Sequence, residues 1–372
     1  MTKTLSDLLP EGFRDRLPNE AEGAVRCARS MLDILSSHGY MRVAPSVAEF
    51  ESSVVKYGGG GMQNRLVRFS DPVSGNSVAL RGDMTLQVGR IAATHMADTP
   101  RPLRLSYHGQ VLRLKAAALR PEREVTQIGA ELIGSDSVAA ASEILRVAIE
   151  ALEAAGVKGI VVDLTLPDLV ETLAAKAFPL ALDQIDAVRA ELDMKDAGGL
   201  SALGADAYLP LLAATGPFDA AIKRLKAIDA GGALASRIKA LKEIAAPLTG
   251  RATVTLDPTE RHGFEYQSWF GFTLFAAGYA AALGRGGTYQ ITRADGSKEA
   301  ATGFSLFPDP LVSQSNAADD AQRLFLPMGT DDAKAIRMRT DGWITVAALS
   351  ADDDAKTLGC SHILNNGKAK PV

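Results

Sequence analysis

Apolar positions recur three and four apart between about residues 21 and 38, where Val25, Ala28, Leu32 and Leu35 share one side, and this predicts a first helix. Gly39 is placed to end it, and Met41–Val43 then reads as extended chain before Pro45. Leu66–Phe69 and Val78–Leu80 flank a turn-rich stretch, Asp71-Pro72-Val73-Ser74-Gly75-Asn76, and predict a hairpin. Leu103–Tyr107, Val111–Arg113 and Thr126–Ile133 read as strands. A second helix is expected over about 136–155, burying Val138, Leu145, Ile149 and Leu152 and closed by Gly156. Ile160, Val162, Leu164 and Leu166 then alternate with Val161, Asp163 and Thr165, the pattern of a half-buried strand.

From about 168 to 247 the pattern changes to Ala- and Leu-rich helical runs broken at Gly198-Gly199, Gly216-Pro217 and Gly231-Gly232, which suggests a helical insertion. Strand signals return at Ala252–Leu256 and Phe270–Phe275. Residues 313–320 are polar or small and read as a linker. Beyond it, Leu324–Leu326, a helix near 331–341, a strand Trp343–Leu349 and a short helix before Ser361–Leu364 predict a small α/β unit over 321–372. The 372 residues suit roughly two or three domains, with residues 1–312 as the core unit.

Composition narrows the function classes. Forty Lys and Arg against 44 Asp and Glu give a net charge of −4, which offers no broad footprint for a polyanion. Cys27 and Cys360 are too few for a disulfide framework or a four-cysteine zinc site, and the five histidines lack metal-ligand spacing, so no metal is expected. No apolar run approaches the ~20 residues of a membrane span. The N-terminal MTKTLSDLLPEGFRD lacks the apolar stretch of a signal peptide, and a cytoplasmic location is expected. Tyr57-Gly58-Gly59-Gly60-Gly61-Met62 invites a phosphate-loop reading, but no Gly-Lys-Ser/Thr follows; a loop before the hairpin accounts for it.

Five segments in fixed order carry more information: Pro10-Glu11-Gly12-Phe13-Arg14-Asp15; Leu80-Arg81-Gly82-Asp83-Met84-Thr85; Tyr107 to Arg113, continuing through Arg120 to Glu131; Arg261-His262-Gly263-Phe264-Glu265-Tyr266 with Gly286-Gly287-Thr288-Tyr289; and Gly303-Phe304-Ser305-Leu306-Phe307-Pro308-Asp309-Pro310. Over about residues 8–312 this series resembles the catalytic core of class II histidyl-tRNA synthetases. The resemblance implies an α+β fold, a class II antiparallel sheet flanked by helices. In that family an Arg in the second motif pairs with a nearby Glu to hold ATP. Arg113 matches the Arg, but Lys115 stands at the Glu position. His262 occupies the place of a catalytic Arg, with Arg261 one residue earlier and, on a strand, facing the other way. Pro310 stands where an Arg grips the terminal phosphate. Losing two of three such arginines should cost several kcal/mol, on the order of 10³-fold in rate.

The same resemblance implies a kept amino-acid pocket. Asp83 matches an acid that meets the α-ammonium of histidine, with Thr85 beside it. Arg113 joins this set. Gln127 and Glu131 share a strand face, with Gly129 between them leaving room for a small ligand, and Tyr266 and Tyr289 would close over the imidazole. The alternative is a set of buried polar groups that satisfy one another. The roughly 50 residues after the linker are short for an anticodon-binding domain and are not basic. The combined pattern resembles the regulatory subunits of ATP phosphoribosyltransferase, synthetase-like proteins of histidine biosynthesis. It implies no catalytic residue and no cofactor. The partners it implies are the short-form catalytic ATP phosphoribosyltransferase subunit, a second copy through the synthetase-like dimer and free histidine, with neither tRNA nor membrane. The rival expectation is an active class II ligase or aminoacyl transferase using histidine or another amino acid.

Overall fold

The computed structural model describes residues 9–58, 66–115, 121–261, 267–314 and 322–372. The chain divides into two compact units, Met1–Ser315 and Asn316–Val372.

In the first unit α1 (Pro18–Ser37) opens on a proline at its first turn, where no N–H is needed. It buries Gly23, Ala28, Met31, Leu32 and Leu35. Val25, expected on that face, is 64% exposed. Met31 draws the centre of the apolar stripe round the helix and leaves Val25 beyond its edge. Gly39, at φ +80°, ends the helix as expected. β1 (Met41–Arg42) lies parallel to β5 (Leu103–Leu112). β5 is one ten-residue strand where two short ones were expected, paired throughout with β6 (Glu124–Ile133). Gly109 interrupts its apolar pattern because a Cβ there would lie 2.4 Å from Arg81 Nη2.

α4 (Val138–Ala154) follows, capped by the Ser137 side chain accepting from the Ala140 N–H, with Gly156 at φ +86° just past its end. β7 (Ile160–Thr165) leads to α5 (Leu169–Lys176), α6 (Ile185–Asp193), α7 (Ala197–Ala202), α8 (Phe218–Ile228) and α9 (Ala235–Ala245), with β8 (Gly216–Pro217) among them. Leu173, Leu192, Leu225 and Leu241 of these helices share one hydrophobic cluster with Ile128 of β6, Val162 of β7 and Phe270 of β10 (Gln267–Ala276). With β9 (Thr253–Leu256), β11 (Gly284–Thr292) and β12 (Lys298–Leu306), the strands form a nine-stranded sheet in the order β1-β5-β6-β12-β11-β10-β7-β9-β8. The run from β5 to β7 is antiparallel throughout, while β1–β5 and β7–β9 are parallel. This is the α+β architecture expected.

A smaller sheet, β2 (Ala48–Phe50), β4 (Ser77–Leu80) and β3 (Val67–Ser70), contains the expected hairpin. α2 (Glu51–Gly58) and α3 (Thr85–Thr94) lie with it, and α10 (Asp309–Gln314) closes the unit. The glycine run beyond Gly58, and residues 313–320 apart from the end of α10, lie outside the described residues.

The second unit comprises β13 (Arg323–Leu326), α11 (Asp332–Thr340), β14 (Ile344–Ala347), β15 (His362–Asn365) and β16 (Lys368–Pro371), in sheet order β14-β13-β15-β16. The short helix expected before Ser361 is a series of turns instead. The Asp353 carboxylate accepts from the Leu349 and Ser350 amides, and Asp354 from those of Lys356 and Thr357, so side chains take the donors a helix would use. β16 was not foreseen. Asn366 and Gly367, both at positive φ, make the two-residue turn that pairs it with β15. Among the described residues no helix is long and apolar enough to cross a membrane.

Candidate amino-acid site

β5, β6, β11 and β12 bring the central groups together. Glu131 of β6 is fully buried. The Tyr107 hydroxyl donates to its Oε1 at 2.9 Å and the Tyr289 hydroxyl to its Oε2 at 2.7 Å. The Tyr107 oxygen also lies 3.1 Å from Thr85 Oγ1 and 3.1 Å from Ser305 Oγ. Burial is the main cause that pushes the Glu131 carboxyl up to about 8, against the lowering pull of the two tyrosine hydroxyls. Burial, with Glu131 alongside, also drives the Tyr107 hydroxyl well above its usual range. Gly303 of β12 sits opposite Glu131, and a Cβ there would lie 1.6 Å from Glu131 Oε2. Only a bare backbone lets the carboxylate lie across the neighbouring strand.

A second group of polar contacts is continuous with this one. Gln127 accepts from the Met84 N–H at 3.0 Å and donates to Ser305 Oγ at 2.7 Å and to Asp83 Oδ1 at 3.3 Å. Asp83 Oδ1 also accepts from the Thr85 N–H at 2.7 Å, which fixes the first turn of α3. The structure therefore joins Asp83, Thr85, Gln127, Glu131 and Tyr289 in one connected network. Tyr266, with His262 and Glu265, lies outside the described residues. Thr85, Glu131, Gln267, Arg285, Tyr289 and Ser305 border a small pocket that opens to solvent and is floored by Gly286, Gly287 and Gly303.

Gly129 does not leave room for a ligand. Tyr107 pairs with it across the strands, and a Cβ on Gly129 would meet the Tyr107 hydroxyl oxygen at 2.3 Å. The vacancy read from the sequence is filled by that ring, and the open space lies instead along β11 and β12. Tyr107, Ser305 and Arg285 stand at this site without having been singled out by sequence.

Arg113 lies at the end of β5, its guanidinium 5.8 Å from the Phe307 ring centroid; that of Arg285 is 5.7 Å from the same centroid. Burial, then the neighbouring Arg285 charge, lowers the Arg113 pKa. Phe307, itself 5% exposed, occupies the volume around which both cations gather. Pro310 is in the first turn of α10, and the charge beside it is acidic. Asp309 accepts from Arg16 at 2.7 Å and from the Thr126 N–H at 2.9 Å. Arg261 lies in irregular chain, not on a strand, with its N–H donating to Asp193 at 3.0 Å. Chemically the arrangement offers acids and amide oxygen at one end and guanidinium groups at the other, which suits a small zwitterion. Among the described residues no group of three His, Cys, Asp or Glu side chains is placed to hold a metal, and both cysteines are free.

Residues 12–311 match the family model of histidyl-tRNA synthetase. The chain is 44% identical to an ATP phosphoribosyltransferase regulatory subunit of Paramagnetospirillum magneticum, covering 96% of each chain. It is 40% identical to one of Rhodospirillum centenum, over 98% of this chain and 96% of the other. Among solved structures, an ATP phosphoribosyltransferase regulatory subunit/histidyl-tRNA synthetase of Bacillus halodurans superposes with a TM-score of 0.80 at 24% identity, covering 96% of this chain and 97% of that one. A histidyl-tRNA synthetase of Nostoc gives 0.75 at 14% identity, over 97% and 91%. At those identities the structural likeness speaks for the fold alone. The sequence relationship goes further: this chain belongs to the family of ATP phosphoribosyltransferase regulatory subunits, built on the class II histidyl-tRNA synthetase fold.

Proposed function

We propose that this protein makes no bond itself, that it activates a short-form catalytic ATP phosphoribosyltransferase subunit in histidine biosynthesis, and that histidine bound in its synthetase-like pocket conveys feedback. The full-length identity to regulatory subunits carries the reading. The site geometry supports it, because acids of the amino-acid end are kept while Phe307, Asp309 and Pro310 fill or neutralise the end where adenylation would need cations. The histidine ammonium would meet Asp83 and Gln127, and its carboxylate would meet Arg113. The imidazole would meet Glu131 and Tyr289. A carboxyl that titrates near 8 is largely protonated at neutral pH, so it would donate to an imidazole nitrogen or pass its proton to that ring. Feedback further requires that histidine bind the inhibited and active assemblies with different affinity.

Isothermal calorimetry with histidine, run beside an amino-acid-dependent ATP–pyrophosphate exchange assay, separates this reading from an active ligase. Histidine binding without exchange is the expected result. Exchange that depends on histidine or any other amino acid would overturn the non-catalytic reading.

A further inference from the structure

Strand register sorts the side chains of the candidate site into rows. Glu131, Gly303, Gly287 and Gly271 stand opposite one another across β6, β12, β11 and β10, so this row is bare beyond Glu131. The next row holds Tyr107, Gly129, Ser305, Arg285 and Thr273, across β5, β6, β12, β11 and β10. Residues in register, and those two apart on one strand, project from the same face of a sheet. Arg285 therefore stands beside Ser305 on the face that carries Glu131.

The rows divide the polar chemistry into three corners. Glu131 leans over Gly303, and Tyr289 donates to it from two residues beyond Gly287. Asp83 and Gln127, joined by a 3.3 Å bond, make the second corner on the β6 side. Arg285 is the third, on β11, and lines the same small pocket as Thr85, Glu131, Tyr289 and Ser305. It precedes Gly287 by two residues, roughly 7 Å along the strand, which one histidine spans from ring to carboxylate. Arg113 comes to this corner from the end of β5, and the two guanidiniums lie 5.8 and 5.7 Å from the Phe307 ring centroid. Arg285 is engaged within the protein, and the five N–H donors of a guanidinium let it keep one contact and take a carboxylate on another edge. Asp163, the acid in register beyond Thr273, is two strands away and accepts from Thr255.

We propose that Arg285 is a specificity-determining residue of this site, holding the α-carboxylate of histidine together with Arg113. The assignment rests on the histidine reading above and adds a residue to it. With the ring at Glu131 and Tyr289 and the ammonium at Asp83, a free α-amino acid fills all three corners. The corresponding alcohol or ester leaves the third without its anion.

The test compares histidine with histidinol, which keeps the ring and the ammonium and carries a hydroxymethyl group in place of the carboxylate. Calorimetry measures both on the full chain and on Arg285→Gln. The expected result is that the unmodified chain binds histidine about tenfold or more tighter than histidinol, and that Arg285→Gln weakens histidine about tenfold but histidinol less than about threefold. No preference in the unmodified chain, equal losses for both ligands in Arg285→Gln, or an undiminished preference there would overturn the role of Arg285 and leave the histidine site standing. An unmodified chain that binds neither ligand removes the site and the assignment together. If Arg285→Gln does not fold, a crystal structure of the unmodified chain with histidine decides the matter. A carboxylate within hydrogen-bond distance of the Arg285 guanidinium is expected there, and one held by Arg113 alone or turned to solvent is the contrary result.

Discussion

Replacing Glu131 by Gln removes the ionisable group from the fully buried centre of the site while keeping its shape and its capacity to meet Tyr107 and Tyr289. In the unfolded chain this carboxyl titrates near the ordinary 4.5, and in the folded protein near 8. Below 4.5 both states hold the proton and the site contributes its full stability. Between 4.5 and 8 the unfolded chain releases the proton and the folded protein does not, so stability falls as pH rises, and the loss is complete above 8. The gap between 4.5 and about 8 sets an upper bound of about 5 kcal/mol, and even half of it, about 2 kcal/mol, is readily measured. Urea unfolding at pH 5 and at pH 8.5 in a Trp343→Phe background leaves Trp269, 8% exposed in the main core, as the reporter. The Gln variant should gain on the parent by about 2 kcal/mol or more between the two pH values, other titrating groups being common to both. A difference between parent and variant that is the same at both pH values would refute a buried, raised carboxyl.

Gly303→Ala should abolish histidine binding in calorimetry and lower stability by about 2 kcal/mol or more, because the new methyl displaces the Glu131 carboxylate it would sit 1.6 Å from. Asp309→Ala leaves the Thr126 amide without its acceptor and Arg16 with the Thr126 hydroxyl but no carboxylate, and should cost about 2 kcal/mol in urea unfolding, with no gain of ATP binding. Asp83→Ala, read by calorimetry beside circular dichroism, should weaken histidine binding about tenfold or more while the core stays folded. Unchanged affinity in Asp83→Ala and in Tyr266→Ala would remove the pocket assignment.

The long helices were legible because periodicity and punctuation agree: Ser137 caps α4, and Gly39 and Gly156 take the positive φ that ends α1 and α4. β11 and β12 were visible as motifs but not as strands, since Gly284, Gly286, Gly287 and Gly303 present no side chains to alternate. β16 hung on the Asn366-Gly367 turn, a signal present in the chain and passed over. In the site, Asp83, Thr85, Gln127, Glu131 and Tyr289 were reached through a resemblance, and the structure joins them. What the chain alone could not give was register. Gly129 looks empty until β5 is aligned so that Tyr107 falls across it. Phe307 and Asp309 stood within a quoted motif, but their grouping with Arg113, Arg285 and Arg16 depends on segments almost 300 residues apart.

The central claim is tested most directly by the rate at which a short-form catalytic ATP phosphoribosyltransferase subunit from the same organism forms phosphoribosyl-ATP, alone, with this protein, and with this protein plus histidine, while the mass of the mixture is followed in solution. The account predicts that the rate rises only when both chains are present, that the mass rises to that of a hetero-oligomer, and that histidine lowers the rate of the assembled pair. Chains that stay apart and a rate indifferent to this protein would contradict it.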